Sequence, residues 1–318
     1  MPIYLEMPSD KKTTKLTDWI EINILLDADK SASAQDLKYI LQREQEVEDE
    51  QIDETNSDQF VGQVFNEIEN RQKAAKAGYP FKLDAGSKIK QKSGNGKYLS
   101  YIFCLLLSYF GSSNEKICPD WKTNIMAKKF EELSANAIEA LLRNEIFSTS
   151  VKVFGYPRKW KGKNANPRFV LALRRICRES GEMEPMGRKT AKMAKDGGLD
   201  VIAWKRFPDE LRGGIVFAAQ CTIGKNWHKK LHEIDDFFDW FVVDPPRRLH
   251  GIFIPHIPSL VEDVEIENWL RYTRFAGTIF SRTRIAFLAR HWKDDFVQGF
   301  CETALKNIRI QSHKDFQI

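Results

Sequence analysis

The chain lacks any hydrophobic run long enough to span a bilayer. Its longest, YIFCLLLSYF at 101–110, is about half of the roughly 20 residues that a crossing helix needs. No positively charged start leading into an apolar stretch opens it, so no secretory signal is read, and a cytoplasmic protein without a membrane partner is expected. Cysteine is sparse and unpatterned. Cys104, Cys118, Cys177, Cys221 and Cys301 are odd in number, widely spaced and free of any Cys-x-x-Cys, which excludes an encoded disulfide framework and a structural zinc site. The Walker loop, the dinucleotide glycine fingerprint and the Gly-x-Ser-x-Gly elbow are missing too, so nucleotide-driven and serine-hydrolase chemistries have no sequence support. No internal repeat is found.

What the chain does have is core-forming material and segregated charge. Its 318 residues are 42% hydrophobic, with 8 Trp and 21 Phe, enough for two domains or one large decorated one. The net charge is only +5, yet residues 43–58 hold eight carboxylates against one Arg. Residues 158–195 hold twelve Lys or Arg against three Glu. A basic block of this kind suits phosphate neutralisation, and Trp160 among Arg158, Lys159, Lys161 and Lys163 adds a face for stacking. Arg188 and Lys189 extend the same block. A solvated loop is the bland alternative, at comparable weight.

The pattern divides the chain at about residue 119. Residues 1–119 read as a mostly helical region: TDWIEINILLDAD, then a helix with Leu37, Ile40 and Leu41 on one stripe, then one with Phe60, Val64, Phe65 and Ile68 that stops at Gly78. Residues 85–97, AGSKIKQKSGNGK, read as a loop, followed by an apolar helix over 98–110. Residues 120–318 read as an α/β domain with a basic, partly helical insertion at 155–195 and basic C-terminal helices. Leaving out the insertion, the expected order is α-β-β-β-α-β: IMAKKFEELSANAIEALLRN, SVKVFG, LDVIAW, GGIVFAAQCT, NWHKKLHEIDDFFDWF, LHGIFIPH.

Three residues stand out because they are polar where their neighbours are not. At about 100° per residue, Glu131 aligns with Ala135, Ile138 and Leu142, whereas Glu132 aligns with Glu139 and Arg143 and faces water. Asp200 heads LDVIAW directly after Gly197 and Gly198, which leave room for a close approach. Gln220 ends the strand within GGIVFAAQCT, with Cys221 and Thr222 after it, sharing a strand face with Thr222 while the Cys221 side chain points the other way. Buried polar groups are costly when unpaired, so an Asp and a Gln at the ends of neighbouring apolar strands suggest a site for something cationic. Singly, each has an ordinary alternative: an ion pair for Glu131, a turn or cap for Asp200. Cys221 reads as a core thiol, not a nucleophile, and His228 with His232 as surface residues.

Helix with FEEL, strand, DGGLD strand, strand ending in QCT, helix, strand: over roughly residues 121–258 this resembles the PD-(D/E)xK nuclease superfamily, particularly the Mrr-like restriction endonucleases. The resemblance implies a restriction-endonuclease-like fold and a metal-dependent endonuclease hydrolysing DNA, with a role in restriction or anti-phage defence. Carried over by motif, Glu131, Asp200 and Gln220 are catalytic. Mg²⁺ or Mn²⁺ would be held by Asp200, Glu131 and the Cys221 carbonyl. The family's lysine is replaced by Thr222, and Lys225 or Lys230 is the expected substitute. Other defence-system subunits are implied partners, and cutting both strands would need a homodimer. Without a working lysine, the alternative is an inactive nuclease fold that binds nucleic acid or scaffolds a larger complex.

Overall fold

The computed structural model describes residues 4–10, 12–47, 54–84, 88–94, 96–144, 149–155, 157–158, 168–183, 197–209, 211–231, 233–238, 248–259 and 263–315. The chain is mixed α/β and forms two compact units, Met1–Lys122 with His256–Ser259 and Arg282–Ile318, and Thr123–Pro255 with Leu260–Ser281. Among the described residues no helix is long and apolar enough to cross a membrane.

The first unit opens with α1 (Thr13–Leu26), β1 (Ser31–Ser33), α2 (Ala34–Val47) and α3 (Glu54–Ala75), then β2 (Phe81–Asp84), β3 (Lys88–Gln91) and α4 (Leu99–Phe110). Leu37, Ile40 and Leu41 on α2 and Val64, Phe65 and Ile68 on α3 are buried, as their helical spacing requires. The unit is not purely helical. β1, β3 and β2 form an antiparallel sheet, and β3 lies inside the stretch expected to be a loop. The reason is a short alternation that the flanking glycines masked: Lys88 and Lys90 are exposed while Ile89 is buried between two partner strands.

In the second unit, α5 (Thr123–Leu142) leads to β4 (Ser150–Val153), α6 (Phe169–Ser180), β5 (Val201–Lys205) and β6 (Ile215–Cys221). After a 3-10 turn (Trp227–Lys230) come α7 (Glu233–Phe238), β7 (Arg248–Phe253), α8 (Asp263–Ala276) and β8 (Thr278–Phe280). The sheet order is β4-β5-β6-β7-β8, antiparallel among the first three strands and parallel for the last two pairings. The expected α-β-β-β-α-β sequence of elements is present with α6 between the first two strands. The short edge strand β8 was not expected. On one sheet face Ile202, Trp204, Val216 and Ala218 join Leu173 and Ile176 of α6 and Phe237 and Phe238 of α7 in an apolar cluster. Residues of the opposite parity, including Cys221, face the other way, and α5 packs on β4, β5 and β6.

The C-terminal helices α9 (Arg282–Leu288) and α10 (Asp295–Asp315) return to the first unit, so the domain expected over 120–318 does not include them. A buried ionic cluster accounts for this return. The two terminal Arg282 guanidinium nitrogens donate to the Asp18 carboxylate at 2.7 and 2.8 Å, and Arg71 donates to the same carboxylate at 2.6 Å. Glu21 accepts from the hydroxyls of Tyr79 and Tyr101 at 2.7 and 2.9 Å. Arg282, one of the basic residues of the C-terminal helices, is therefore an internal tie between residues 264 positions apart.

Candidate active site

The N–H of Asp200 donates to the Ala219 carbonyl at 3.0 Å, and its own carbonyl accepts from Phe154 and Gly155 at 2.6 and 3.1 Å. One residue thus ties together the ends of β4, β5 and β6. Its carboxylate Oδ2 then accepts the Cys221 N–H at 2.7 Å, capping β6 where the ladder stops. This is the cap role open to any Asp at a strand end, and it also fixes a carboxylate against the Cys221 backbone.

Glu131 is buried on the inner stripe of α5, as the helical arithmetic expects, while Glu132 is only partly buried and pairs with Lys129 at 2.9 Å. The Glu131 Oε2 accepts from Lys128 at 2.8 Å, and the same ammonium donates to the Gly155 carbonyl at 3.0 Å. A side chain at Gly155 would fill this space: a Cβ there would lie 2.6 and 2.7 Å from the two Glu131 carboxylate oxygens. Gly155 therefore adjoins both residues, donating its N–H to the Asp200 backbone carbonyl and leaving the space of its missing Cβ to the Glu131 carboxylate.

Cys221 lies at the centre of this group. Burial pushes its thiol well above the ordinary range, and the Asp200 and Glu131 carboxylates push it the same way, against a weaker pull from Ser134 and Lys128. The group thus comprises two carboxylates, one ammonium and a thiol whose raised pKa disfavours the thiolate; Cys221 is partly exposed, not the fully buried core thiol expected.

Gln220 does not join it. Its amide Nε2 donates to the Glu233 carboxylate at the start of α7, and Lys230 stands 4.0 Å from the same carboxylate. Strand alternation explains the divergence: Gln220 follows Val216 and Ala218 on the face covered by α6 and α7. Thr222, in the lysine position of the resemblance, is buried. Lys225 is exposed and makes no hydrogen bond or ion pair with the described residues. The residue that sequence reasoning missed is Lys128; its signal was the i, i+3 spacing to Glu131, one spacing among many on a Lys-rich helix. The room that Gly198 provides is taken by the chain itself, because a Cβ there would lie 2.1 Å from the Glu233 carbonyl oxygen.

No family model, curated protein or solved structure matches this chain.

Among the described residues, no three His, Cys, Asp or Glu side chains are grouped closely enough to share a metal ion. Asp200 and Glu131 with nearby backbone carbonyls are hard oxygen donors, the type suited to Mg²⁺ or Mn²⁺ rather than zinc. The space that a Cβ at Gly155 would fill is occupied by the Glu131 carboxylate.

Of the expected nucleic-acid contacts, Arg158 is buried with its guanidinium 4.3 Å from the Phe154 ring centroid, so it packs in the core instead of tracking phosphates from a solvated loop. Lys159, Lys161, Lys163, Arg188 and Lys189 lie outside the described residues. The described part of the insertion contributes Arg168, Arg174 and Arg178, all exposed on or beside α6. His228 stacks on Tyr272, as expected of a surface histidine, and His232 lies outside the described residues.

Proposed function

We propose that the second unit is a restriction-endonuclease-like domain that hydrolyses DNA phosphodiester bonds with a divalent metal. The observation that carries this reading is the meeting of Glu131, from the helix preceding the sheet, with Asp200, from the head of β5, around Gly155 and the Cys221 amide. Asp200, Glu131 and the Cys221 carbonyl would hold Mg²⁺ or Mn²⁺. Bound there, the ion supplies Lewis-acid polarisation of the phosphate and lowers the pKa of a water. Lys128 provides the cation that the missing family lysine would have supplied, held by Glu131 and Gly155 where it can offset charge on phosphate oxygens. Lys230, beside Glu233, stands outside this group, and Lys225 makes no contact with it. Arg168, Arg174 and Arg178 would meet the DNA backbone without reading sequence. The setting implied by the resemblance is cytoplasmic restriction or anti-phage defence, with other subunits supplying recognition and a second copy cutting the second strand.

The test is cleavage of plasmid DNA with Mg²⁺ or Mn²⁺, comparing the wild type with Asp200→Asn, which keeps an acceptor for the Cys221 N–H and removes the charge. Cleavage abolished by chelator and reduced about 100-fold in the variant, at unchanged melting temperature, is the expected result. Metal-independent cutting, or equal cutting by both proteins, would refute it. A second reading, a DNA-binding module without hydrolysis, is favoured by the buried Thr222 and the engagement of Gln220 by Glu233. It wins if both proteins retain DNA and neither cuts.

A further inference from the structure

At the far end of β5 from Asp200, about 17 Å along the strand, the second unit opens a cavity of about 340 Å³. That volume lies within the range of small-molecule sites, about 300–1,000 Å³. Leu142, Phe207 and Ile215 give it apolar walls, and Phe207 and Ile215 are 47% and 40% exposed. Arg143 and Lys205 bring two positive charges to the same lining, which Arg206 also borders, although its guanidinium packs against Gly181 at the end of α6. Among the described residues no carboxylate lines it; Glu139, 3.6 Å from Arg143, stands outside the wall.

The decisive residue is Lys205. It is only 7% exposed, yet it makes no hydrogen bond or ion pair with any described residue. The buried arginines of the first unit behave otherwise, each being clamped by carboxylates. The Lys205 stem is buried while its amine is not among the buried unpaired polar atoms, so the ammonium opens toward the cavity, placed to meet a partner of opposite sign there. Strand alternation explains how Lys205 comes to be there: it follows Val201 and Ala203 on the same face, and the lysine stem continues that apolar row before the amine reaches the cavity.

We propose that this slot binds a small amphiphilic anion, its acid group on Lys205 and its apolar body along Phe207 and Ile215. The site is separate from the one around Asp200 and does not depend on the nuclease reading. Two head groups share the required chemistry, a carboxylate and a phosphate ester, and the experiment separates them. Octanoate and octyl phosphate are titrated against octanol and inorganic phosphate while the backbone amide resonances of the full chain are followed. At least one octyl anion is expected to saturate, with shifts concentrated at Leu141–Asn144 and Lys205–Phe207. Octanol and inorganic phosphate should each bind at least tenfold more weakly, and the tighter of the two anions identifies the head group. Lys205→Met, which keeps the apolar stem, should weaken that anion tenfold. Should Lys205→Met fail to fold, Arg143→Gln on the exposed rim should weaken it two- to threefold. Octanol or inorganic phosphate binding as tightly as the octyl anions overturns the proposal. So does unchanged affinity in the foldable variant, or an absence of saturation at millimolar concentration.

Discussion

Replacing Gly155 with Ala puts a methyl group where the Glu131 carboxylate now lies. The new Cβ would stand 2.6–2.8 Å from three Glu131 atoms, well inside ordinary van der Waals contact. The backbone at Gly155 is not in the left-handed region, so Ala is conformationally allowed, and the obstacle is the far end of one side chain. Glu131 must swing away, at an off-rotamer cost of about 1 kcal/mol. It also loses the 2.8 Å bond to Lys128, whose net worth in a partly buried setting is about 1 kcal/mol. Exchanging Gly for Ala returns roughly 0.4–1 kcal/mol by restricting the unfolded chain. The net loss of about 1 kcal/mol corresponds to a drop in melting temperature of about 2–4 °C for a unit of this size. Activity should respond far more, because a reactive group displaced by about 1 Å costs on the order of 100-fold in rate. Calorimetry and plasmid cleavage on the same preparation separate the two effects, with Glu131→Gln as the control that keeps shape and removes charge. Undiminished cleavage in Gly155→Ala would refute a role for the Glu131 position, and a melting temperature lower by more than about 10 °C would show that Glu131 cannot yield and that Gly155 serves packing alone.

In the first unit, Arg282→Met leaves Asp18 buried with half of its cationic partners gone, and a loss of about 3–5 kcal/mol is expected in chemical denaturation; a loss under 1 kcal/mol would show the tie to be dispensable. Burial opposes ionisation of Asp18, but the Arg282 and Arg71 charges outweigh it and hold the carboxyl below its usual range. Its contribution is therefore complete above the unfolded pKa of about 4 and lost as pH falls further, so Asp18→Asn should flatten the acid limb of the stability curve, and a limb unchanged by it would remove Asp18 as the cause. Burial pushes Cys104 up to about 12, so it should not react with a disulfide reagent at pH 8 until the chain unfolds, and Cys221, partly exposed but with its thiol raised well above normal, should label far more slowly than a free cysteine. Rapid native labelling at Cys221, mapped by mass spectrometry, would contradict the position assigned to it.

The elements that could be read from the sequence were those whose periodicity is set by a single local face. α2 and α3 carry apolar stripes, β5 and β6 are apolar runs bounded by turns, and α5 separates Glu131 from Glu132 by angle alone. β3 and β8 escaped because strands of three or four residues carry one or two buried positions, too few to rise above the Gly, Ser and Lys around them. The return of α9 and α10 escaped for a different reason. Arg282 is indistinguishable in sequence from the exposed arginines near it, and only its pairing with Asp18, on the first helix, assigns it to the interior.

The same distinction between local and non-local information runs through the candidate site. Strand alternation fixed that Gln220 and Cys221 point in opposite directions, but not which of the two would meet the glutamate of α5. That depends on which helix covers which face, a tertiary choice. With α5 opposite α6 and α7, the thiol of Cys221 falls beside Glu131, and the Gln220 amide finds its partner in Glu233. Once Glu131 is on that side, the cation that reaches it from its own helix is Lys128, three residues earlier on the same face, while Lys129 pairs with Glu132. Its ammonium is held between the Glu131 carboxylate and the Gly155 carbonyl, on the α5 side of the sheet. Lys128→Met should therefore reduce metal-dependent cleavage as severely as Asp200→Asn, whereas Lys225→Met and Lys230→Met should leave it within about threefold of wild type. If Lys230→Met proves the damaging change, the reacting group lies on the α7 side with Gln220 and Glu233, and the assignment to the α5 face falls.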